Sequence, residues 1–198
     1  MTAIMEKKTT GSGEAAGSYR SVTETDFEKL YTNCSDKVFN TLFCMLGNYQ
    51  DAEDVLQEVF LRAYGSLNGF QGKAEISTWL YSIAMNAARG FLKKRNQRLK
   101  LATSLSPEEL EMMGRLAGGG DVEKIYSLRE INESLRKALM NLSPDFREVF
   151  VLNKIEGCSY KEIAEILDVS IGTVESRLFR AKEQLRKELI GMSYNGSD

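Results

Sequence analysis

The chain has 198 residues, which is enough for one medium domain or two small ones. Its 42% hydrophobic and 27% charged residues are typical of a soluble globular protein, and no stretch approaches the roughly 20 apolar residues that span a bilayer. The net charge of −2 is unusual for a protein that binds nucleic acid unaided, and the absence of histidine argues against a zinc site. Because the N-terminus also lacks an apolar signal-peptide core, we expect a cytoplasmic protein. We expect no metal or other cofactor.

The N-terminal half predicts three helices after a disordered leader at residues 1–23. An apolar stripe with helical spacing ends at Gly47, and a second helix, capped by Asp51, follows it. A loop punctuated by glycines then leads to a third helix that begins near Ser77. We expect residues 24–98 to form one small helical domain.

Two of these helices carry charge on one side or at one end. The second helix presents carboxylates and an amide on one face, namely Asp51, Asp54, Gln57 and Glu58. The third helix ends in a basic run without acidic residues, namely Arg89, Lys93, Lys94, Arg95, Arg98 and Lys100. The helix dipole favours cations at a C-terminus, but this run exceeds what capping requires, so we expect it to contact phosphates. A merely solvated face is the alternative for the acidic side of the second helix.

The C-terminal half follows a change of composition. Residues 99–122 predict a flexible linker, and residues 123–190 resume the helical pattern. Ser143 and Pro144 start a helix there as cap and first helical residue. Residues 191–198 read as a frayed tail. Since no segment predicts a strand, the expected fold class is all-α, with two small helical domains joined by a flexible linker.

Residues 157–189 are the most informative part of the sequence. Ser159 and Glu162 have the spacing of a capping box at the start of a short helix, and Ser170 caps a second helix after a three-residue turn. The second helix has one apolar face and a polar, basic face formed by Thr173, Ser176, Arg177 and Arg180. This pattern predicts a helix-turn-helix whose second helix enters the DNA major groove. The alternative is a solvated face held by charge pairs within the helix.

Four blocks of the sequence resemble the small extracytoplasmic-function (ECF) group of bacterial RNA polymerase sigma factors of the sigma-70 family. In order they are DAEDVLQEVF, STWLYSIAMN, Leu142-Ser143-Pro144, and the helix-turn-helix with GTVESRL. The resemblance implies that residues 24–98 are a region 2 domain, which binds core polymerase and the −10 element. It implies that residues 123–190 are a region 4 domain, which reads the −35 element. Such a protein directs initiation to particular promoters and assists melting without nucleotide hydrolysis.

The resemblance also implies the residues that make each contact. The acidic helix docks on the clamp helices of the largest polymerase subunit, through Asp51, Asp54, Gln57 and Glu58. The −10 set is Trp79, Asn86, Arg89, Lys93 and Lys94, with a flipped base held by the loop at 67–78. Trp79 is at least as well explained as a core residue. The −35 set is Lys161, Thr173, Ser176, Arg177, Arg180 and Lys182, of which Lys161 and Lys182 would contact phosphates.

Further implications concern partners. The family implies contacts with the polymerase flap and control by an anti-sigma factor, and we expect a monomer when the chain is free. Glu75, Ile76 and Gly90 depart from the common family pattern, which bears on the −10 preference.

Three other functions stay open on the sequence alone. A free-standing helix-turn-helix regulator would bind its operator without polymerase, usually as a dimer. An adaptor that binds only protein would leave the basic residues unexplained. An enzyme is not expected, because histidine, a glycine-rich phosphate loop and clustered metal ligands are all missing. The cysteines, Cys34, Cys44 and Cys158, are odd in number and widely spaced, so we expect reduced structural thiols.

Overall fold

A computed structural model describes residues 24–70, 72, 74–102 and 133–194. The expected leader, the expected linker beyond residue 102 and the last four residues lie outside this part of the chain. Within it there are seven α-helices, a 3₁₀ turn and no strand, so the predicted all-α class is confirmed.

The N-terminal group contains three helices: α1, Glu24–Leu46, α2, Tyr49–Ser66, and α3, Ile76–Ala102. A 3₁₀ turn, Leu67–Gly69, follows α2. The C-terminal group contains α4, Glu133–Asn141, α5, Pro144–Lys154, α6, Tyr160–Leu167, and α7, Ile171–Tyr194.

The junction between α1 and α2 corrects one sequence prediction. Asn48, not Asp51, is the N-cap of α2: its Oδ1 accepts a hydrogen bond from the Asp51 backbone N–H at 3.0 Å. Asn48 has the extended backbone that an N-cap requires, and Asp51 lies in the first turn, where its charge suits the helix dipole. Gly47 before it has a φ of 74°, and a Cβ there would overlap the Sδ of Met140 in α4.

The helix-turn-helix has the caps that the sequence predicts. Ser159 Oγ accepts from the Glu162 N–H at 3.3 Å, and Glu162 Oε2 accepts from the Ser159 N–H at 2.7 Å, completing the capping box. Asp168, with a φ of 53°, ends α6 in the left-handed region. Ser170 Oγ then accepts from the Thr173 N–H at 3.1 Å. At the start of α5, Ser143 takes the N-cap position, but its side chain makes no cap hydrogen bond.

The two groups of helices share one core. The apolar stripes of α1, α2 and α3 bury against one another, and α4 to α7 do the same. Helix α1 also packs on α4 and α5, and α3 packs on α6, so that the buried residues of both groups form one continuous cluster. The sequence pattern predicts each group but not the contact between them. That contact decides which of the predicted site residues face solvent.

Candidate nucleic-acid and protein interface

The acidic face of α2 is presented to solvent. Its opposite face is buried, which turns Asp54 and Gln57 outward. Glu58 pairs with Arg62 one turn along the helix and remains partly exposed. Asp51 is more engaged, because Arg95 Nη1 of α3 lies 3.3 Å from its Oδ2. The face therefore offers two exposed polar side chains, Asp54 and Gln57, flanked by two carboxylates that pair with arginines.

An apolar residue extends this face, and the sequence analysis did not assign it. Leu61 lies four residues after Gln57 and three after Glu58, and it is 74% exposed. The sequence could have indicated Leu61, because an apolar side chain lies at helical spacing from the acidic residues. An exposed leucine next to carboxylates suits a partner helix with both apolar and basic side chains.

The loop before α3 forms a cleft beside Trp79. The indole packs partly on the core and lies 5.1 Å from the Phe70 ring, measured between centroids. The cleft has a volume of about 300 Å³, the lower end of the range for small-molecule pockets, and is lined by Gly69, Phe70, Ala74, Thr78, Trp79, Ser82 and Glu165. Trp79 thus packs on the core on one side and lines the cleft on the other, and its contact with DNA stays a prediction.

The predicted −10 residues of α3 differ in how exposed they are. Asn86, Lys93 and Lys94 are exposed. Arg89 instead turns towards α5, where its Nε and Nη2 each donate to a carboxylate oxygen of Glu148 at 2.8 Å. This fork-shaped pair has the geometry with which arginine binds a carboxylate or a phosphate.

The predicted DNA face of α7 is only partly open. Ser176, Arg180 and Lys182 are exposed, as is Lys161 on α6, and Thr173 is half-buried beside Ser170. Arg177 instead donates to Glu148 at 3.2 Å and to Asp145 at 3.4 Å. Phe179, which the sequence analysis did not assign, is 68% exposed on this helix. In the sequence, Phe179 could have been noticed because it is an apolar residue that lies outside the apolar stripe of this helix. An aromatic ring there suits contact with a thymine methyl group.

Glu148 is the electrostatic centre of this region. Its side chain is fully buried, and Arg89 and Arg177 both donate to it. Burial raises the pKa of Glu148 above the usual glutamate value, although the hydrogen bonds from Arg89 act in the opposite direction. The same hydrogen bonding raises the pKa of Arg89. Two arginines, which the family resemblance predicts to contact DNA, therefore bind this buried carboxylate.

Most of the chain matches known protein families. The family model "Sigma-70 region 2" matches residues 30–98, and "Sigma-70, region 4" matches residues 132–185. The ECF RNA polymerase sigma factor SigW of Bacillus subtilis is 35% identical over 157 residues, covering 78% of this chain and 83% of that protein. The chain belongs to the ECF group of RNA polymerase sigma factors. The ECF sigma-E factor of Escherichia coli K12 is also 35% identical, over 68% of this chain and 72% of that protein.

Solved structures agree with the fold of this ECF sigma factor. The sigma factor RpoE of Bartonella quintana, in complex with the anti-sigma factor NepR, gives a TM-score of 0.65 at 23% identity, over 83% of this chain and 97% of that one. CnrH, in complex with the cytosolic domain of CnrY, gives 0.60 at 24% identity, over 85% and 90% of the two chains.

The matched regions place the Glu148 contacts between the two halves of the sigma factor. Arg89 lies in region 2, whereas Glu148 and Arg177 lie in region 4. A second carboxylate also bridges the regions: Glu156 accepts from Thr41 Oγ1 at 2.6 Å and from the Tyr81 hydroxyl. Burial, followed by the hydrogen bond to Glu156, raises the pKa of Tyr81.

A buried arginine completes the interface between the regions. Arg147 of region 4 donates to the backbone carbonyl of Met45 in α1, and to those of Met140 and Leu142 at 2.8 and 2.9 Å. Burial lowers its pKa to about 10. Arg147 therefore binds main-chain oxygens on both sides of the contact, including one carbonyl in the last turn of α1.

The described residues of this sigma factor contain neither a candidate metal site nor a candidate membrane span. In that part of the chain, no group of three or more cysteine, aspartate or glutamate residues is arranged to hold a metal ion. None of the described helices is both long and apolar enough to cross a bilayer.

Proposed function

We propose that this sigma factor docks on core RNA polymerase through the acidic face of α2, with Asp54, Gln57 and Glu58 as its main contacts. The observation that supports this most directly is the separation of charge between exposed surfaces. Helix α2 exposes carboxylates, whereas the end of α3 exposes cations; on α7 the exposed Arg180 and Lys182 lie among the exposed Glu175 and Glu183. An acidic surface fits a basic protein helix, and the basic surfaces fit the DNA backbone.

In this proposal region 4 reads the −35 element and region 2 reads the −10 element. Helix α7 is held by buried Val174 and Leu178, so that Ser176, Phe179 and Arg180 point into the major groove. The cleft beside Trp79 takes one unpaired base, and Lys93 and Lys94 bind the adjacent backbone. Binding of the exposed strand offsets the cost of unpairing, so the protein needs no nucleotide hydrolysis and is not itself an enzyme.

We place the protein in the cytoplasm, where transcription occurs, and as a monomer when it is free. We also propose control by an anti-sigma factor. The two solved structures with the same fold are each named as complexes, one with the anti-sigma factor NepR and one with the cytosolic domain of CnrY. A partner that covered the exposed faces of α2 and α7 would block polymerase and DNA together.

The test compares the free chain with its complex with core polymerase. The purified chain is titrated with sigma-free core polymerase from the same organism, and genomic DNA fragments are then captured by either the chain or the complex. We expect tight core binding and specific enrichment of fragments by the complex alone, since a net charge of −2 gives the free chain little affinity for DNA. Tight, sequence-specific capture by the free chain at physiological salt, with a dimeric mass, would favour a free-standing regulator.

A further inference from the structure

One carboxylate lies on the face of α7 that the proposed function places in the major groove. Glu175 is exposed, one turn before Phe179 and next to Ser176, and both of these neighbours are exposed as well. Val174 and Leu178 lie on the buried side of the helix and fix this orientation. Because DNA is a polyanion, a negative charge on this face weakens binding unless the carboxylate itself makes a favourable contact with DNA.

Charge pairing within the helix does not account for Glu175. The residues three and four positions away on either side are uncharged, namely Ile171, Gly172, Leu178 and Phe179. Arg177, the nearest cation along the chain, donates to Asp145 and Glu148 of α5 instead. A face held by charge pairs, the alternative that the sequence left open, therefore does not explain this residue.

Glu183, the next carboxylate along α7, has a different setting. Arg186 and Lys187 lie three and four residues after it, at the spacing that stabilises a helix when the acidic residue comes first. Glu183 also lies about 12 Å further along the helix axis than Glu175, at 1.5 Å per residue. Since the N-terminal residues of a recognition helix make the base contacts, Glu175 is the carboxylate placed to reach a base.

Base edges in the major groove differ in what they offer to a carboxylate. Guanine presents two acceptors, N7 and O6, and thymine presents the acceptor O4, so both repel a carboxylate oxygen. Adenine presents the N6 amino donor beside the acceptor N7, whereas cytosine presents the N4 amino donor alone. An ionised glutamate therefore pairs best with cytosine, and this charge-assisted hydrogen bond offsets repulsion from the phosphates.

We propose that Glu175 is a specificity residue of region 4, which selects a cytosine in the −35 element by accepting a hydrogen bond from its N4 amino group. The inference rests on the proposed function, because it needs α7 in the major groove. Phe179 lies one turn further on, about 6 Å along the helix at 1.5 Å per residue. At 3.4 Å per base pair, the selected cytosine lies within about two base pairs of the thymine whose methyl group suits Phe179.

Exchange of the carboxylate for an amide tests this assignment. Glu175→Gln keeps the size of the side chain, and glutamine pairs with adenine through N6 and N7. Core polymerase with the wild-type or variant chain transcribes fragmented genomic DNA, and the transcript 5′ ends give the −35 motif of each complex. We expect one position of that motif to change from C·G to A·T in Glu175→Gln.

The size of the effect is measured by competition among four duplexes that carry each base pair at that position. We expect the wild-type complex to prefer C·G by roughly tenfold, as for one specific base contact, and Glu175→Gln to prefer A·T. Glu175→Ala should lose the preference for C·G without gaining one for A·T. Glu183→Gln, which makes the same change of charge at an exposed position further along α7, is the matched control and keeps the wild-type preference.

Two results would overturn the role of Glu175 while leaving the proposed function intact. A shared −35 motif that is the same for wild type, Glu175→Gln and the control would show that this side chain reads no base. A uniform gain in affinity of Glu175→Gln for all four duplexes, with unchanged preference, would show that the carboxylate only repels phosphates. A wild-type complex that yields no shared upstream motif would instead overturn the proposed function, and the role of Glu175 with it.

Discussion

Arg95 and Asp51 form an ion pair between the basic end of α3 and the acidic first turn of α2, with Nη1 and Oδ2 at 3.3 Å. Each belongs to a charged set that the sequence suggested would contact a different macromolecule. The pair instead links α2 to α3 within region 2, and Arg95 also donates to the carbonyl of Leu46 at 3.2 Å. The acidic surface available to polymerase is therefore centred on Asp54, Gln57 and Glu58.

Reversing the charge of that surface should weaken core binding. We expect the double variant Asp54→Lys, Glu58→Lys to lose at least about tenfold in affinity for core polymerase, because like charges facing each other across an interface cost several kcal/mol. The matched control, Glu28→Lys with Asp36→Lys, makes the same change on exposed positions of α1. Fluorescence titration with core polymerase measures both, and an equal loss in the two double variants would remove α2 as the docking face.

Truncating Arg177 should relax the reading of one −35 position. In the assembled polymerase complex we expect Arg177→Ala to reduce discrimination at a single base pair by about 1–3 kcal/mol, the value of one bidentate contact with guanine. Binding to all single-base variants of the −35 element measures this. A uniform loss at every sequence would make Arg177 a phosphate contact, and Lys187→Ala on the same helix is the control for lost charge.

The capping box should stabilise region 4 measurably. We expect Ser159→Ala to lower the free energy of unfolding by about 1 kcal/mol, since it removes the cap of α6. Ser143→Ala at the start of α5 is a close control, because Ser143 makes no cap hydrogen bond, and it should change stability by less than about 0.5 kcal/mol. Denaturant unfolding compares the two variants; equal losses would contradict the role of the capping box.

The capping box also gives a pH dependence. Hydrogen bonding with Ser159 lowers the pKa of Glu162. A carboxyl group with a lowered pKa in the folded state stabilises that state above its ordinary pKa, and this contribution disappears as the pH falls through the lowered value. The difference in stability between wild type and Glu162→Gln should therefore shrink as the solution is acidified below the ordinary glutamate range, because glutamine does not titrate. A difference that stays constant would exclude the Glu162 carboxylate as its source.

The cysteines should be unreactive in the folded protein. Burial raises the pKa of Cys44 to about 12 and that of Cys158 to about 11. Because the thiolate is the reactive form, alkylation of Cys44 near neutral pH should be roughly a thousandfold slower than that of a free cysteine. Timed alkylation with iodoacetamide and mass spectrometry measures each site, with the unfolded chain as the control. Rapid modification of Cys44 in the folded chain would contradict its burial.

Local signals in the sequence predicted local structure well. Ser159, Glu162 and Ser170 act through hydrogen bonds to neighbours three residues away, so their spacing alone predicts the caps of the helix-turn-helix. The cap of α2 was predicted wrongly because Asn48 and Asp51 are both good cap residues. Only the backbone conformation distinguishes them, and the sequence does not display it.

The contacts between regions could not be predicted in the same way. Glu148 lies in a helix whose polar residues look solvated in the sequence, and its arginine partners are 59 and 29 residues away. No periodic pattern encodes a pairing across that separation. The family resemblance predicts that Arg89 and Arg177 contact DNA. For the same reason it did not predict that both arginines also bind Glu148 within the protein. The assignment of individual residues to promoter elements stays a prediction.

The most direct test of the account is transcription reconstituted from purified components. The chain is added to sigma-free core polymerase from its own organism with fragmented genomic DNA, and the 5′ ends of the transcripts are sequenced. We predict discrete starts preceded by two shared motifs at the −10 and −35 positions, and loss of these starts with Asp54→Lys, Glu58→Lys. Active core polymerase that neither binds the chain nor initiates at new positions in its presence would contradict the assignment of this protein as a promoter-specificity subunit.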